Sequence, residues 1–499
     1  MLRAATDRVA ILLNEGTPTH LLPPEILTRI LYLAVDHGSE EHAEQIIPLT
    51  HVCRYWRTLL LSYPRIWSTL RMKPGNPSVI SEWLARSQNV PLTVLAEFTD
   101  TYDHPPCRYQ DPTAALTSTV DLKVCPRHRA VLSLDQILPH CSRIRDLNIV
   151  VRWSDSHWMD GDHGGEPPLL YHHFFKETLP NLQRLDFRAT HTEQTRYAIP
   201  IPDHLFAGGL PGLKELKYLG VNGGLTGTVK NLVSCEIGVW WGSAGPAMIS
   251  PEELQTLFNN NQTVKSLIIG ECEFFYDSDP WVPTATSMTD LEYLEIHCPV
   301  SSDLEKIVKC IHAPRLGDLD TVQLSFSGSS IRVVATDSSG HTFEFSQSNT
   351  SDLDFHPLRH LGADITTLRL GQGSTLQRLD EGTALCEFLR SLNAVQVLEF
   401  DGAIASAENV LSNVLSITGV FPGLRVIRVA VGRDDCKGTL QLLSVVLRLR
   451  MEEGNQFTTI EPLLAEGEGG LGQELCAEWE RHCEAEGIHN FWSKYLPLS

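Results

Sequence analysis

The sequence predicts a mixed α/β protein in which a short unit of three helices precedes an irregular repeat solenoid with a parallel sheet. One observation is a set of apolar segments with Pro and Trp between residues 19 and 70. A second is an apolar-x-x-apolar-x-apolar pattern that keeps returning after residue 140, with helical periodicity between its copies. The predicted domains are therefore the helical unit at 19–70, the solenoid at 77–460 and a C-terminal helical cap at 461–499.

The first helix is predicted from about Pro24 to Val35. Prolines suit the first helical positions, where a missing N–H costs little. An apolar stripe at i, i+3 and i+4 spacing follows, formed by Ile26, Leu27, Ile30 and Leu31.

A second helical segment is predicted around residues 52–62. Val52, Tyr55 or Trp56, and Leu59 repeat the apolar stripe, and Pro64 ends the segment. Trp67 can then fold back over both helices. So small a unit buries little surface by itself, so a partner or a neighbouring domain is expected to cover its remaining apolar face.

Taken in this order, the segments resemble an F-box. The resemblance rests on Leu22-Pro23-Pro24-Glu25-Ile26-Leu27, Val52-Cys53-Arg54-Tyr55-Trp56-Arg57 and Pro64-Arg65-Ile66-Trp67. In that family the apolar face docks on the Skp adaptor of a Skp-cullin-F-box ubiquitin ligase, and the rest of the chain captures a substrate. The acidic stretch 36–44 is longer than the family's usual link between the first two helices. The resemblance implies adaptor contacts at Leu22, Pro23, Pro24, Glu25, Ile26, Ile30, Leu31, Val52, Cys53, Trp56 and Trp67. The alternative is a small helical subdomain that caps a larger fold.

The body of the chain resembles an irregular, helix-bearing leucine-rich repeat. Successive copies of the pattern start 19 to 46 residues apart, compared with about 20 to 29 residues in regular repeats of this kind. The usual Asn position is mostly absent, so uneven curvature is expected. The copies begin at Ile144, Leu182, Leu213, Leu232, Val264, Leu291, Leu319, Ile365, Val395 and Leu424.

Helices are predicted between the repeat strands. Ser250-Pro251-Glu252-Glu253 has the composition of a capping box, and Asp303 to Val308 repeats that device. Apolar stripes predict further helices near 385–392, 410–415, 440–451 and 471–486. In the longest spacing, the runs 330–336 and 341–345 flank Asp337-Ser338-Ser339-Gly340, which predicts a β-hairpin inserted into the array.

Composition limits the class of function. The net charge is −21, which disfavours nucleic-acid binding and suits a protein partner that is basic. No apolar run approaches the length of a membrane span, and the 12 cysteines contain no C-x-x-C pair, so a cytoplasmic or nuclear protein with reduced thiols is expected.

No catalytic motif, cofactor site or metal site is predicted. Cys107, Cys125, His128 and Cys141 lack the spacing of a zinc site, and Asp155, Asp160, Asp162 and Glu166 lack the spacing of a calcium loop.

The expected function is that of a non-enzymatic substrate adaptor, with Skp and, through it, cullin as partners. The alternative is a scaffolding protein that binds the adaptor without assembling a ligase. For the unknown substrate, the adjacent Trp240 and Trp241 are candidate contacts, because Trp is enriched where binding energy is concentrated. Packing in the core is the alternative role for this pair.

Overall fold

The structure is a computed structural model, and its fold is mixed α/β with mostly parallel strands. The chain divides into two compact units, one of residues 1–230 with 242–245 and one of residues 231–241 with 246–499. The described residues are 8–9, 16–35, 42–72, 77–99, 126–153, 173–191, 199–200, 206, 209–222, 229–238, 247–270, 272–274, 283–297, 301–314, 316, 319–327, 330–347, 365–370, 384–400, 421–431, 459–464 and 481.

The first unit begins with short helices, α1 (Pro24–Leu33), α2 (His42–Leu49) and α3 (Arg54–Ser62). Two 3-10 helices, Pro18–Leu21 and Pro64–Trp67, flank them. The backbone N–H of Trp56 donates to Cys53 Sγ over 3.5 Å, so Cys53 caps α3. Val52, which was predicted to lie in this helix, therefore precedes it.

Parallel strands follow the helices in the first unit, in the order β1-β2-β3-β4-β6. Helices α4 (Pro77–Ser87) and α5 (Pro126–Ile137) lie between these strands in the chain. The two-residue strands β5 and β7 pair separately. The strand bounds are β1 Thr69–Met72, β2 Leu92–Thr99, β3 Ile144–Trp153, β4 Arg184–His191, β5 Ile199–Pro200, β6 Glu215–Leu219 and β7 Val221–Asn222.

The second unit contains helices α6 (Pro251–Asn260), α7 (Ser301–Cys310) and α8 (Ala384–Ser391). Its main strands run in the order β8-β10-β13-β17-β16-β15-β18-β19-β20-β21. Two small parallel pairs, β9 with β11 and β12 with β14, stand apart. The bounds are β8 Ser234–Gly238, β9 Ala247–Ile249, β10 Ser266–Ile269, β11 Cys272–Phe274, β12 Thr286–Ser287, β13 Tyr293–His297, β14 Ile311–His312, β15 Thr321–Ser327, β16 Ser330–Thr336, β17 Thr342–Gln347, β18 Thr367–Leu370, β19 Val397–Phe400, β20 Val426–Val431 and β21 Thr459–Leu464.

The repeated apolar positions form the cores of both units. The first residue of every predicted copy, from Ile144 to Leu424, is buried. The fourth positions of the pattern, for which a buried strand face is expected, are buried too, among them Leu185, Leu267, Leu294, Leu368 and Leu398. In the second unit equivalent positions face each other across parallel strands, with Leu267 paired to Leu294 and Leu368 paired to Leu398.

A repeated backbone contact links one copy to the next. A carbonyl just before one strand accepts two N–H groups from the start of the next copy. The Lys265 carbonyl accepts from Glu292 at 2.8 Å and Tyr293 at 2.9 Å, and the Gln396 carbonyl accepts from Arg425 at 2.8 Å and Val426 at 2.9 Å. The same device in both cases fixes the register of neighbouring strands.

The predicted hairpin is present, and it is part of the main sheet of the second unit. Strands β15, β16 and β17 form an antiparallel meander, in which β17 pairs with β13 and β15 pairs with β18. The three strands of the meander therefore lie in the sheet in the reverse of their chain order, as β17, β16 and β15 between β13 and β18. An apolar face on β16, with Val333 and Ala335 buried, explains why the hairpin packs within the sheet.

Two boundaries differ from the sequence prediction, while the predicted capping box is confirmed. Ser250 Oγ accepts from the Glu253 N–H at 3.1 Å, and Glu253 accepts in return from the Ser250 N–H at 3.2 Å. Helix α7 begins at Ser301, before the predicted start at Asp303. Strand β21 runs across residue 460, so the sheet continues to Leu464, where a helical cap was predicted.

Candidate partner-binding surfaces

Helix α1 exposes a stripe of large apolar side chains. Ile26, Ile30 and Leu33 are 50%, 47% and 67% exposed. At about 100° per residue, these side chains fall within about 60° of one another around the helix axis. Single exposed apolar residues are common on protein surfaces, whereas several on one stripe indicate an interaction site.

The opposite face of α1 is buried. Leu27 and Leu31 pack in the core, as does Val35 just after the helix, and the hydroxyl of Thr28 donates to the Pro24 carbonyl at 2.6 Å. Helix α1 is thus apolar on two faces, of which one is covered within the described residues. Leu31, predicted as an adaptor contact, is only 2% exposed and stabilises the core.

Trp67, also predicted as an adaptor contact, lies in the core as well, at 2% exposure. Its Nε1–H donates to the Leu60 carbonyl at 2.8 Å. Its ring packs edge-on against Trp83 with 5.1 Å between centroids, and the guanidinium of Arg86 lies 4.6 Å from the Trp67 centroid. Trp67 therefore packs in the core, where α4 covers its ring, and its expected contribution to an adaptor contact stays a prediction.

The other predicted adaptor contacts remain at the surface to different degrees. Exposed residues are Pro23, Pro24, Glu25 and Val52, the last at 58%. Leu22, Cys53 and Trp56 are half-buried. A ring contact of 4.8 Å joins His20 to Tyr55, and His20 Nε2 lies 3.4 Å from Cys53 Sγ, which orders the chain beside α3.

The sequence prediction missed three exposed apolar residues of the same region, Leu21, Leu33 and Ile47. Leu33 could have been found, because it lies at i+7 from Ile26 and i+3 from Ile30. No periodic signal identifies Leu21, which ends a 3-10 helix. We call the exposed set the apolar docking surface, defined as Leu21, Ile26, Ile30, Leu33, Ile47 and Val52.

A second candidate surface is the polar face of the main strands in the second unit. Strand residues alternate, so the side chains between the buried positions share the opposite face. One register row on this face contains, in order of pairing, Glu236, Ile268, Glu295, Glu344, Val334, Gln323, Arg369, Glu399 and Arg428.

Ion pairs and hydrogen bonds on this face connect neighbouring strands and also residues along a single strand. Glu399 accepts from Arg369 Nε at 2.5 Å and from Arg428 Nη1 at 2.7 Å. Glu295 accepts from the Tyr293 hydroxyl at 2.6 Å, and its other oxygen lies 2.6 Å from His297 Nε2. These contacts hold the polar side chains in fixed positions.

The same contacts lower carboxylate pKa values. The hydrogen bond with His297 is the main reason that the pKa of Glu295 is lowered, although burial opposes it. For Glu399, burial would raise the pKa, but the two arginine hydrogen bonds outweigh it and lower the pKa. Both groups are therefore ionised in the folded protein near neutral pH.

The hairpin turn is held by one carboxylate. Asp337 accepts from the N–H groups of Ser339 at 2.8 Å and His341 at 2.9 Å, and its other oxygen lies 2.6 Å from His341 Nδ1. The predicted substrate contacts Trp240 and Trp241 lie outside the described residues.

Most of the residues considered above as possible zinc or calcium ligands are also ones whose side chains the structure does not describe. Cys141 is described, and burial, followed by the charge of Glu177, raises its pKa to about 11, so the thiol is protonated. Among the described residues no cluster of three potential metal ligands occurs.

Comparison with known proteins gives no assignment. The chain matches no protein-family model, and no curated protein is significantly similar to it. Among the described residues, no helix combines the length and apolar character of a membrane span.

Proposed function

We propose that this protein is a non-enzymatic substrate adaptor of a Skp-cullin-F-box ubiquitin ligase. The observation that carries the proposal is the uncovered stripe of Ile26, Ile30 and Leu33 on α1, within a segment that resembles an F-box. The apolar docking surface binds the Skp adaptor, together with the half-buried Leu22 and the exposed Pro23, Pro24 and Glu25. Leu31 and Trp67 act indirectly by holding the helices in place.

The connection between the helices and the first strand supports this role. Only Ser68 separates the 3-10 helix Pro64–Trp67 from β1. The Trp67 ring packs against Trp83 of α4, so the docking helices and the first strands of this unit have no flexible linker between them. A fixed connection suits a protein that acts by proximity, since holding a substrate lysine near a conjugating enzyme raises its effective concentration.

The repeat region, resembling an irregular leucine-rich-repeat solenoid, supplies the substrate surface in this proposal. Its strands have one buried apolar face, and the opposite face of the second unit carries mainly polar and charged side chains, of which Glu344 and Glu399 are buried. We propose as substrate contacts Trp240 and Trp241, next to β8 in the chain, and the hairpin of β16 and β17. The mechanism requires no covalent chemistry from this chain.

Co-purification with the Skp adaptor tests the proposal. Ile26→Asp combined with Ile30→Asp should abolish adaptor binding, because each carboxylate would be desolvated in an apolar interface. Leu22→Ala combined with Pro23→Ala should have the same effect. A matched control is Val79→Asp with Leu132→Asp, which changes two exposed apolar residues elsewhere in the first unit.

All variants should retain the circular-dichroism spectrum of the parent. Retained adaptor binding by the Ile26 and Ile30 variant would contradict the F-box assignment. If the parent protein recovers the adaptor but never cullin, the scaffolding alternative is correct.

A further inference from the structure

Charge is distributed unevenly along the chain. No Asp or Glu occurs between Glu44 and Glu82, and this segment contains five basic residues, Arg54, Arg57, Arg65, Arg71 and Lys73. Because the whole chain has a net charge of −21, the remaining residues carry −26. The segment that forms α3 and leads into β1 is thus a basic region of a strongly acidic protein.

Three of these arginines present their charge to solvent. Arg54 and Arg57 are exposed on α3, whereas Leu60 of the same helix is buried, and Arg65 is exposed on the following 3-10 helix. Within the described residues, none of these three guanidinium groups forms an ion pair.

The arginines of the repeat strands are in a different state. Arg184 pairs with Asp146 at 2.7 Å, Arg188 pairs with Asp186 at 2.6 Å, and Arg428 pairs with Glu399 at 2.7 Å. Those arginines stabilise the fold through ion pairs across or along strands. The exposed arginines of α3 form no such ion pair among the described residues.

A fourth exposed arginine lies beside the apolar stripe. Arg29 is on α1, about 40° around the helix axis from Leu33 and on the side away from Ile30. We call Arg29, Arg54, Arg57 and Arg65 the arginine rim. The described helices therefore combine uncovered apolar side chains with arginines that have no acidic partner among the described residues.

We infer that the partner surface bound by these helices is itself acidic, with Asp and Glu carboxylates around an apolar groove. This inference rests on the proposed function and specifies the chemistry of the docking partner. Charged residues at the edge of an interface mainly accelerate encounter and select the partner, while the apolar centre supplies much of the affinity. The chain is acidic outside 45–81, including the stretch 36–44 between the first two helices, so the arginine rim also orients an acidic partner toward α3 and the 3-10 helix that follows it.

An anionic membrane is the competing ligand for a surface with arginine and apolar side chains. The stripe on α1 has only three large apolar residues, and the rest of the chain, at −26, is repelled by an anionic membrane. A protein partner can contact the helices alone, so the charge distribution favours a protein.

Association kinetics with purified Skp adaptor test the inference on the full chain. In the rim variant, Arg54, Arg57 and Arg65 are each changed to Glu. The control variant changes Lys176, Lys214 and Lys230 to Glu, which are exposed in the first unit and give the same change in net charge. At low salt the rim variant should associate about tenfold more slowly than the parent, and the control should stay within about twofold of it.

The difference should shrink at about 0.5 M NaCl, where the Debye length is below about 5 Å. Equal association rates for the rim and control variants would overturn the inference, and so would a parent rate that does not depend on salt. If the Ile26 and Ile30 variant loses adaptor binding while the rim variant behaves like the control, the proposed function is supported and the acidic partner surface is not.

Two further outcomes are decisive. If the parent does not bind the adaptor at all, both the proposed function and the inference fail. In a parallel experiment, sedimentation of the parent but not the rim variant with phosphatidylserine vesicles would assign the rim to a membrane, which would also overturn the inference.

Discussion

Large aliphatic side chains serve opposite roles in α1 and in the repeat strands. Ile26 and Ile30 are about half exposed, whereas Leu267 and Leu294, which are of similar size and equally apolar, are at most 4% exposed. Both pairs follow a regular sequence period. The difference shows that a regular apolar pattern defines a face of an element, and that the neighbouring elements decide whether this face stabilises the fold or remains for a partner.

The cause lies in the number of neighbours. Each inner strand of the sheet has a paired strand on either side, so Leu294 lies between Leu267 and Phe343. Among the described residues, the neighbours of helix α1, which include α3, cover the face with Leu27 and Leu31 and leave Ile26 and Ile30 about half exposed. A helix with apolar residues on two faces therefore leaves one of them uncovered.

The largest effect is expected where the helices are tied to the first strands. Trp67→Ala should lower the free energy of unfolding of the first unit by about 3 to 5 kcal/mol, because it removes a buried ring that packs on Trp83. Urea denaturation followed by circular dichroism measures this. A loss below about 1 kcal/mol would mean that Trp67 is not a core residue, and would restore it as an adaptor contact.

The second-largest loss of stability is expected from a substitution at a buried repeat position. Leu294→Ala should cost about 2 to 5 kcal/mol of stability in the second unit. Ile268→Ala, on the neighbouring strand but on the polar face, is the matched control and should cost clearly less, since Ile268 is only half-buried. Similar losses for both variants in urea denaturation would contradict the assignment of the two strand faces.

An intermediate effect is expected from the polar face itself. Glu399→Gln should cost about 1 to 3 kcal/mol, because it weakens charge-assisted hydrogen bonds with Arg369 and Arg428. The lowered pKa of Glu399 predicts that its contribution is present above the ordinary Glu value of about 4.3 and is lost as the pH falls below that value. Unfolding midpoints from pH 7 to pH 3 should therefore converge for parent and variant at the acid end. A constant difference across this range would refute the ionised pair.

The smallest stability effect belongs to the exposed stripe. Ile26→Ala combined with Ile30→Ala should change the free energy of unfolding by no more than about 0.5 kcal/mol, as expected for surface positions. The same variant should bind the Skp adaptor more weakly than the parent. A large loss of stability would show that this face is already covered by the protein's own chain.

The repeat core was predictable because its signal is local. A strand with one buried face needs alternating apolar residues, so the pattern around Leu267 or Leu398 predicts both the strand and its buried side. The capping box at Ser250 was predictable for the same reason, since all its groups lie within four residues. Helix α1 was predicted to within two residues of its observed end at Leu33.

Other features depend on contacts between distant segments. The sequence indicates a hairpin at β16 and β17, but the pairing of β17 with β13 joins residues that are far apart in the chain. The covered and uncovered faces of α1 both contain Ile and Leu, so composition did not separate Leu31 from Ile30. Trp67 fits both the core and an adaptor contact, and the position of Trp83 decides between them.

The reversed meander also has a consequence for folding kinetics. In a simple repeat array each strand pairs with the next one along the chain, so order can spread from any copy to its neighbours. Among the described strands, β13 and β18 are joined in the sheet through β17, β16 and β15, and Asp337 holds the turn between two of these strands. The strands before and after the meander are therefore expected to form two cooperative blocks. Loosening this one turn should slow their coupling and produce separate unfolding transitions within the second unit.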